Sequence, residues 1–217
     1  VTGLPPATTP TRPPEDPVAL LAAAEPAFAR ALELAGPPAP LPVRPPGFGT
    51  LLKIILEQQV SITAAEAMWR KLDVACRPLT PDAFLRLDDG TLRACGFSRQ
   101  KAAYGRALAL DLAEGRLDLD AVHAAPDDEA GAMLVRLKGI GRWSAEIYLM
   151  FALGRPDVWP ADDLGIQVGL QEVLGLAERP RRDAADLLAE PWRPLRTTAA
   201  RMVWHAYLWR RRRSPPV

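Results

Sequence analysis

In the third quarter of the chain, "LVRLKGIGRWSAEIYLMFALG" runs one apolar helical pattern into another, with only Gly139–Ile140–Gly141 between them. No other stretch restricts the fold so tightly. A first helix has to end near Leu137, the chain has to turn at once, and a second helix has to follow immediately. Two glycines around one aliphatic residue allow that corner, because each can adopt φ > 0. In the second helix Trp143, Ile147, Met150 and Phe151 fall at i, i+4, i+7 and i+8, which predicts one apolar face. Missing side chains at the corner also leave backbone N–H groups open, and open amides at a helix start suit an anion such as phosphate. Alone, G-x-G between helices more often marks a tight corner with no ligand.

The rest of the chain reads the same way. "DPVALLAAAEPAFARALELAG" predicts a first helix ended by Gly36, followed by a proline-dense connector, "PPAPLPVRPPGFG". "TLLKIILEQQVSITAAEAMWRKL" predicts two helices that break near Gln59–Ser61, where polar residues interrupt the apolar run and Ser61 can cap a new start. Further helices are predicted in "TPDAFLRL", "DGTLRACG" and "SRQKAAYGRALALDLAEG". In the last of these Tyr104, Leu108 and Leu112 share a face and Gly115 is the stop. Sustained alternation of polar and apolar residues is missing, so the predicted fold class is all-α. Residues 1–17, rich in proline and threonine, predict a flexible arm.

Composition limits the partners. Of 217 residues, 48% are hydrophobic and 24% charged, and the net charge is +1, so any nucleic-acid contact has to be a local patch. Four lysines stand against 23 arginines, and asparagine is absent. This is a coding bias that devalues any single arginine, including the run Arg210–Arg213, which reads as a solvated tail. Cys76 and Cys95 are too few for a disulfide framework or a cysteine-bound cluster. His123 and His205 read as lone residues without partners, and no metal site is expected. Neither a signal peptide nor an apolar run of about 18 residues is found, so a cytoplasmic protein without a membrane span is expected.

"PADDLGIQVGL" sets Asp162 and Asp163 side by side just before an apolar helical pattern. Helix capping explains such acids in most proteins, since an N-cap carboxylate accepts from free N–H groups and suits the helix dipole. A catalytic carboxylate could occupy the same place. If both acids were buried, repulsion would oppose their charges, so Asp162 is expected to be the more exposed.

With its flanks, "LKGIGRWSA" resembles the hairpin of the helix-hairpin-helix DNA glycosylase superfamily, in which a Gly/Pro-rich loop and an aspartate follow; here that stretch is "LGRPDVWPADD". "ILEQQVSITAA", "LRACGFSRQKAAY" and "WRPLRTTAARMVW" are similar to further segments of its 3-methyladenine DNA glycosylase II (AlkA-like) branch, in the same order, over about Phe48 to Leu208. The resemblance implies two helical lobes with a cleft between them. Residues 18–48 and 158–213 would form a discontinuous lobe carrying the aspartate, and 49–157 a helical barrel lobe ending in the hairpin, 137–153. The matching region starts within the first fifty residues, so a compact version without the β-rich N-terminal domain of larger relatives is expected.

The same resemblance implies a monofunctional glycosylase that flips an alkylated purine such as 3-methyladenine out of duplex DNA and hydrolyses its N-glycosidic bond in base excision repair. Asp163 takes the catalytic role, its charge favoured by the helix start it caps. Trp143 and Trp204 match positions near the flipped base, where an indole face attracts a cationic purine by about 0.5–2 kcal/mol; plain core packing is the alternative. Tyr148 is placed beside the pocket, although Ile147 could equally be that neighbour, and Tyr207 and Trp209 are read as core. Gln59 matches the residue that plugs the vacated stack, with a solvated helix end as the even alternative. Lys138, Gly139, Ile140, Gly141 and Ser144 are assigned to DNA contact. Trp143 stands where bifunctional members carry a Schiff-base lysine, so no lyase activity is expected.

No cofactor is expected, and any monovalent cation held by hairpin carbonyls would be structural. The expected partner is double-stranded DNA with alkylated bases, met by a monomer. Two rival readings are a non-catalytic helix-hairpin-helix DNA-binding module and a glycosylase for mismatched or oxidised bases. Asp163 weighs against the module, because a carboxylate beside DNA repels phosphate.

Overall fold

A computed structural model describes residues 16–213. The arm assigned to residues 1–17 lies outside them except for Asp16 and Pro17. Those two already belong to folded structure: Asp16 caps the first helix and Pro17 opens it.

In chain order the helices are α1 (Pro17–Ala24), α2 (Pro26–Ala35), α3 (Phe48–Glu57), α4 (Ile62–Ala75), α5 (Pro81–Leu85), α6 (Asp89–Ala94), α7 (Arg99–Ala113), α8 (Leu119–Ala124), α9 (Asp127–Val135), α10 (Arg142–Phe151), α11 (Leu164–Leu174), α12 (Arg182–Ala189) and α13 (Arg196–Arg213), with a 3₁₀ turn at Glu190–Trp192. Among the described residues there is no strand. The fold is all-α, as the patterning predicts.

The predicted first helix is in fact two. Pro26 has no N–H to donate and excludes its predecessor from helical geometry, so Glu25 is extended and its carboxylate caps α2 through the Ala27 amide. The break at Gln59–Ser61 is present: α3 ends at Glu57, and Ser61 Oγ accepts from the Ala64 amide to start α4. The arginine run is solvated, Arg210, Arg211 and Arg212 being exposed, but it is helical and not a loose tail: α13 continues through Arg213, with the Arg211 guanidinium 4.2 Å over the Tyr207 ring.

Two helices are buried almost all round. α3 buries Phe48, Thr50, Leu51, Leu52, Ile54, Ile55 and Leu56, and α10 buries every residue from Ser144 to Met150. The single apolar face predicted for α10 therefore understates its position at the centre of the molecule. α7 packs on α3 and α5 through Gly105, where a Cβ would stand 2.9 Å from Leu52 and from Phe84. The second group of helices forms around α13, which packs on α1, α2 and α11. Gly169 brings α11 close to α13, since a Cβ there would meet Val203 Cγ1 at 2.6 Å. Leu208 of α13 is 45% exposed. One continuous apolar core, from Val18 to Val203, joins both groups. The connector between α10 and α11 lies along the seam between them.

Candidate active site

That connector is fixed at nearly every step. The Arg155 guanidinium donates to the carbonyls of His123 and Ala125. Asp157 accepts from Arg193 and from Arg196, and the Val158 amide donates to Thr197 Oγ1. Trp159 is buried and gives its indole N–H to the Ala185 carbonyl at 3.0 Å. The chain then turns at Pro160, whose carbonyl accepts from the Asp163 amide, and α11 begins.

Asp163 is the N-cap of α11. Its Oδ1 accepts from the Ile166 amide at 2.9 Å and from Trp204 Nε1 at 2.9 Å, and its Oδ2 accepts from Trp143 Nε1 at 3.0 Å. The carboxylate sits at the seam: Trp143 comes from α10 in the first group of helices, Trp204 from α13 in the second. Oδ2 carries only one of these bonds and so keeps acceptor capacity for another donor. Gly165 makes the arrangement possible, because a Cβ there would lie 3.0 Å from Asp163 Oδ1 and 3.3 Å from the Trp204 ring. Asp163 is half-buried while Asp162 is exposed, the order expected for adjacent acids.

The two tryptophans meet Asp163 with the polar ends of their rings. Phe151 stands 6.0 Å from the Trp204 ring, and the Arg44 guanidinium lies 5.0 Å over Phe151 while bonding Glu57 at 2.8 Å. Tyr148 does not flank a pocket: it is fully buried, its hydroxyl accepting from the Gly47 amide at 2.9 Å and bonding His123 Nε2 at 2.9 Å. Burial raises the phenol's pKa. His123 is thus partnered, contrary to the expectation, and His205 likewise bonds the Ala35 carbonyl at 2.9 Å.

At the hairpin, only Gly139 uses left-handed backbone, at φ +89°. It also has to be bare, because a Cβ would come 2.3 Å from Tyr104 Cγ on α7. Gly141 is extended at φ −93°, open to either a glycine or another residue, and nothing lies within 4 Å of where its Cβ would be. Its bareness leaves the start of α10 without a side-chain cap and open to solvent. Lys138 is exposed beside it. Two residues assigned to DNA contact turn inward instead. Ile140 is 3% exposed and packs in the core, and Ser144 is 2% exposed and accepts from Gln58 Nε2 at 2.9 Å. The adjacent Gln59 is exposed, at φ +57°.

Arg142, the first residue of α10, forms a fork on Asp186 of α12, at 2.6 and 2.7 Å, and donates to Glu146 Oε1 at 2.7 Å. These bonds hold the Arg142 pKa above its ordinary value. Glu146 has its other oxygen buried without a partner, and burial, aided by Asp186 and Asp162, pushes its pKa up to about 7 against the Arg142 charge. Among the described residues no group of three or more His, Cys, Asp or Glu is placed to hold a metal ion. The Leu137 and Gly139 carbonyls accept from the Ile140 amide and Gln58 Nε2, and each keeps a lone pair that a monovalent cation could use.

Gln58, Gly165 and Arg142 were missed in the sequence. Only Gly165 had a usable signal, its i, i+4 spacing to Gly169, which marks one small-residue face for close helix packing.

Residues 52–194 match the family model of the HhH-GPD superfamily base excision DNA repair proteins. A putative DNA-3-methyladenine glycosylase of Bacillus subtilis is 29% identical over 73% of this chain and 58% of its own length, so the chain spans little over half of that relative. DNA-3-methyladenine glycosylase 1 of Schizosaccharomyces pombe is 31% identical over 71% of this chain and 69% of its own. The structure of a Schizosaccharomyces pombe 3-methyladenine DNA glycosylase in complex with abasic DNA superposes with a TM-score of 0.81 at 28% identity, covering 87% of this chain and 94% of that one. The chain belongs to the HhH-GPD superfamily of base excision DNA repair proteins, in the branch of the 3-methyladenine DNA glycosylases.

Proposed function

We propose that this chain is a monofunctional DNA glycosylase that removes alkylated purines, 3-methyladenine among them, from duplex DNA. The observation that carries the reading is the carboxylate of Asp163, held at the seam by two indole N–H groups and one backbone amide with acceptor capacity left on Oδ2. The uncapped start of α10, with Lys138 beside it, receives a backbone phosphate. The exposed Gln59 enters the stack that the extruded nucleotide leaves. As the C1′–N bond lengthens, the deoxyribose gains positive charge and the fixed carboxylate stabilises it. Water adds at C1′, its proton passing to Asp163 or to solvent, and the base leaves with the bonding electrons. A purine alkylated at N3 or N7 already carries the positive charge that leaving neutralises, so it needs no proton from the protein.

The absence of lyase chemistry is part of this reading. Trp143 fills the place of the Schiff-base lysine and donates to Asp163, and the hydrogen bonds that reach Asp163 include none from a lysine. A monomer is enough, because one chain supplies the acid and both indoles. A cation at the hairpin carbonyls would hold the turn and take no part in any step.

Duplexes carrying 3-methyladenine, 7-methylguanine, hypoxanthine or 8-oxoguanine, incubated with the protein and then treated with alkali, test the proposal. The expected result is strand cleavage at the methylated purines after alkali only. Cleavage before alkali contradicts monofunctionality, release of 8-oxoguanine alone favours an oxidised-base enzyme, and binding without release of any base favours a non-catalytic module.

A further inference from the structure

Gln59 is the one non-glycine residue with positive φ among the described residues, and an unsupported glutamine would relax out of that strained conformation. The contacts that hold it come from its neighbours. Both bonds of the Gln58 side-chain amide go to the hairpin: Nε2 donates to the Gly139 carbonyl at 2.8 Å and to Ser144 Oγ at 2.9 Å. Lys101 of α7 donates from Nζ to the Leu56 carbonyl at 2.6 Å, in the last turn of α3, where carbonyls lack helical partners. Close to Lys101 on α7, Tyr104 packs so near Gly139 that no side chain fits there, and its hydroxyl accepts from Gln100 Nε2 at 2.6 Å. The end of α3, the start of α7 and the hairpin therefore close a ring around the Gln59 turn.

Nothing in the hydrolysis requires this ring, but extrusion does. A residue that enters a base stack has to push against it, and the protein can push only if the phosphate grip and the inserting turn do not move apart. We propose that Gln58 is a positioning residue for base extrusion: it bolts the Gln59 turn to the phosphate-binding hairpin, with Lys101 as the second bolt, so that grip and wedge act as one body. This rests on the glycosylase reading above and assigns a device within it.

The test compares two duplexes carrying the lesion released fastest in the panel above, one with its normal partner base and one with an abasic analogue opposite. In the second duplex the lesion has no base to pair with, so extrusion costs less. Under single-turnover conditions Gln58→Ala is expected to slow release from the paired duplex at least tenfold and from the unpaired one less than threefold. Lys101→Met should shift the same ratio in the same direction, by a smaller factor, and it carries the test should Gln58→Ala fold poorly by thermal melting. An equal loss on both duplexes, or no loss on the paired one, would overturn the positioning role while leaving the glycosylase intact. Wild-type protein inactive on both would overturn the glycosylase reading, and the positioning role with it.

Discussion

Two helices begin on either side of the same seam, and they begin in opposite ways. α10 starts at Gly141 with no side chain on its first amides, whereas α11 starts at Asp163, whose carboxylate takes one of those amides for itself. A helix start is electropositive in both cases. Left bare, it attracts an anion from outside; capped by an acid, it retains one. In the proposed function the first arrangement grips a phosphate and the second turns a negative charge toward a sugar. Trp143 belongs to both, being the second residue of α10 and a donor to the Asp163 carboxylate.

Substitutions can erase either half of this contrast. Gly139→Ala should have the largest effect. It forces a side chain into positive φ and into the Tyr104 ring, so a loss of about 2–4 kcal/mol in unfolding free energy is expected by denaturant titration. Duplex affinity should fall as well, because the bare end is displaced.

Glu146→Gln acts on the helix that joins the two sites. The native protein holds a proton on Glu146 that the unfolded chain has lost between the ordinary value of 4.5 and about 7. Stability therefore declines as pH rises through that window, by up to about 3 kcal/mol in all, and below 4.5 the dependence vanishes because both states are protonated. The glutamine variant should lack this decline in a series of melts from pH 4 to 8.

Trp143→Phe keeps the ring and removes one donor from the acid. The expected cost is about 1.5–3 kcal/mol of transition-state stabilisation, roughly ten- to a hundredfold in single-turnover rate, with duplex affinity little changed. Gly141→Asp is the smallest change and the most pointed, since it converts the bare end into a capped one. Backbone and space both allow it, so stability should hold or rise slightly. Affinity for duplex DNA should drop by about 1–2 kcal/mol at low salt, measured by fluorescence anisotropy.

Much of this contrast is legible in the residues. The hairpin shows in two glycines between apolar helical runs, and the acid shows in an adjacent pair before a third. Direction is harder to read. Gln58 and Gln59 are identical side chains in sequence, and only a left-handed turn at Gln59 sends one to the hairpin and the other to solvent. Ser144 faces inward because α10 is buried almost all round, which a four-residue apolar face does not reveal, and Ile140 packs inward from the turn ahead of it. The Tyr148–His123 pair joins residues 25 apart through one hydroxyl, and no local pattern encodes such a meeting. An apolar stripe marks tryptophans as buried, but it says nothing of where their N–H groups point. The single first helix predicted up to Gly36 passes over a break that Pro26 signals, since proline excludes its predecessor from helix.

In the proposed function the Asp163 charge serves the reaction and not the grip. Asp163→Asn separates the two, because asparagine still caps α11 through its carbonyl oxygen while it removes the charge and exchanges the oxygen that meets Trp143 for an NH2 group. Duplex affinity and single-turnover base release should be measured on the same preparation. Wild-type affinity is expected, with release slowed on the order of 10²–10³-fold or more. Release at the wild-type rate would show that the charge takes no part in the reaction.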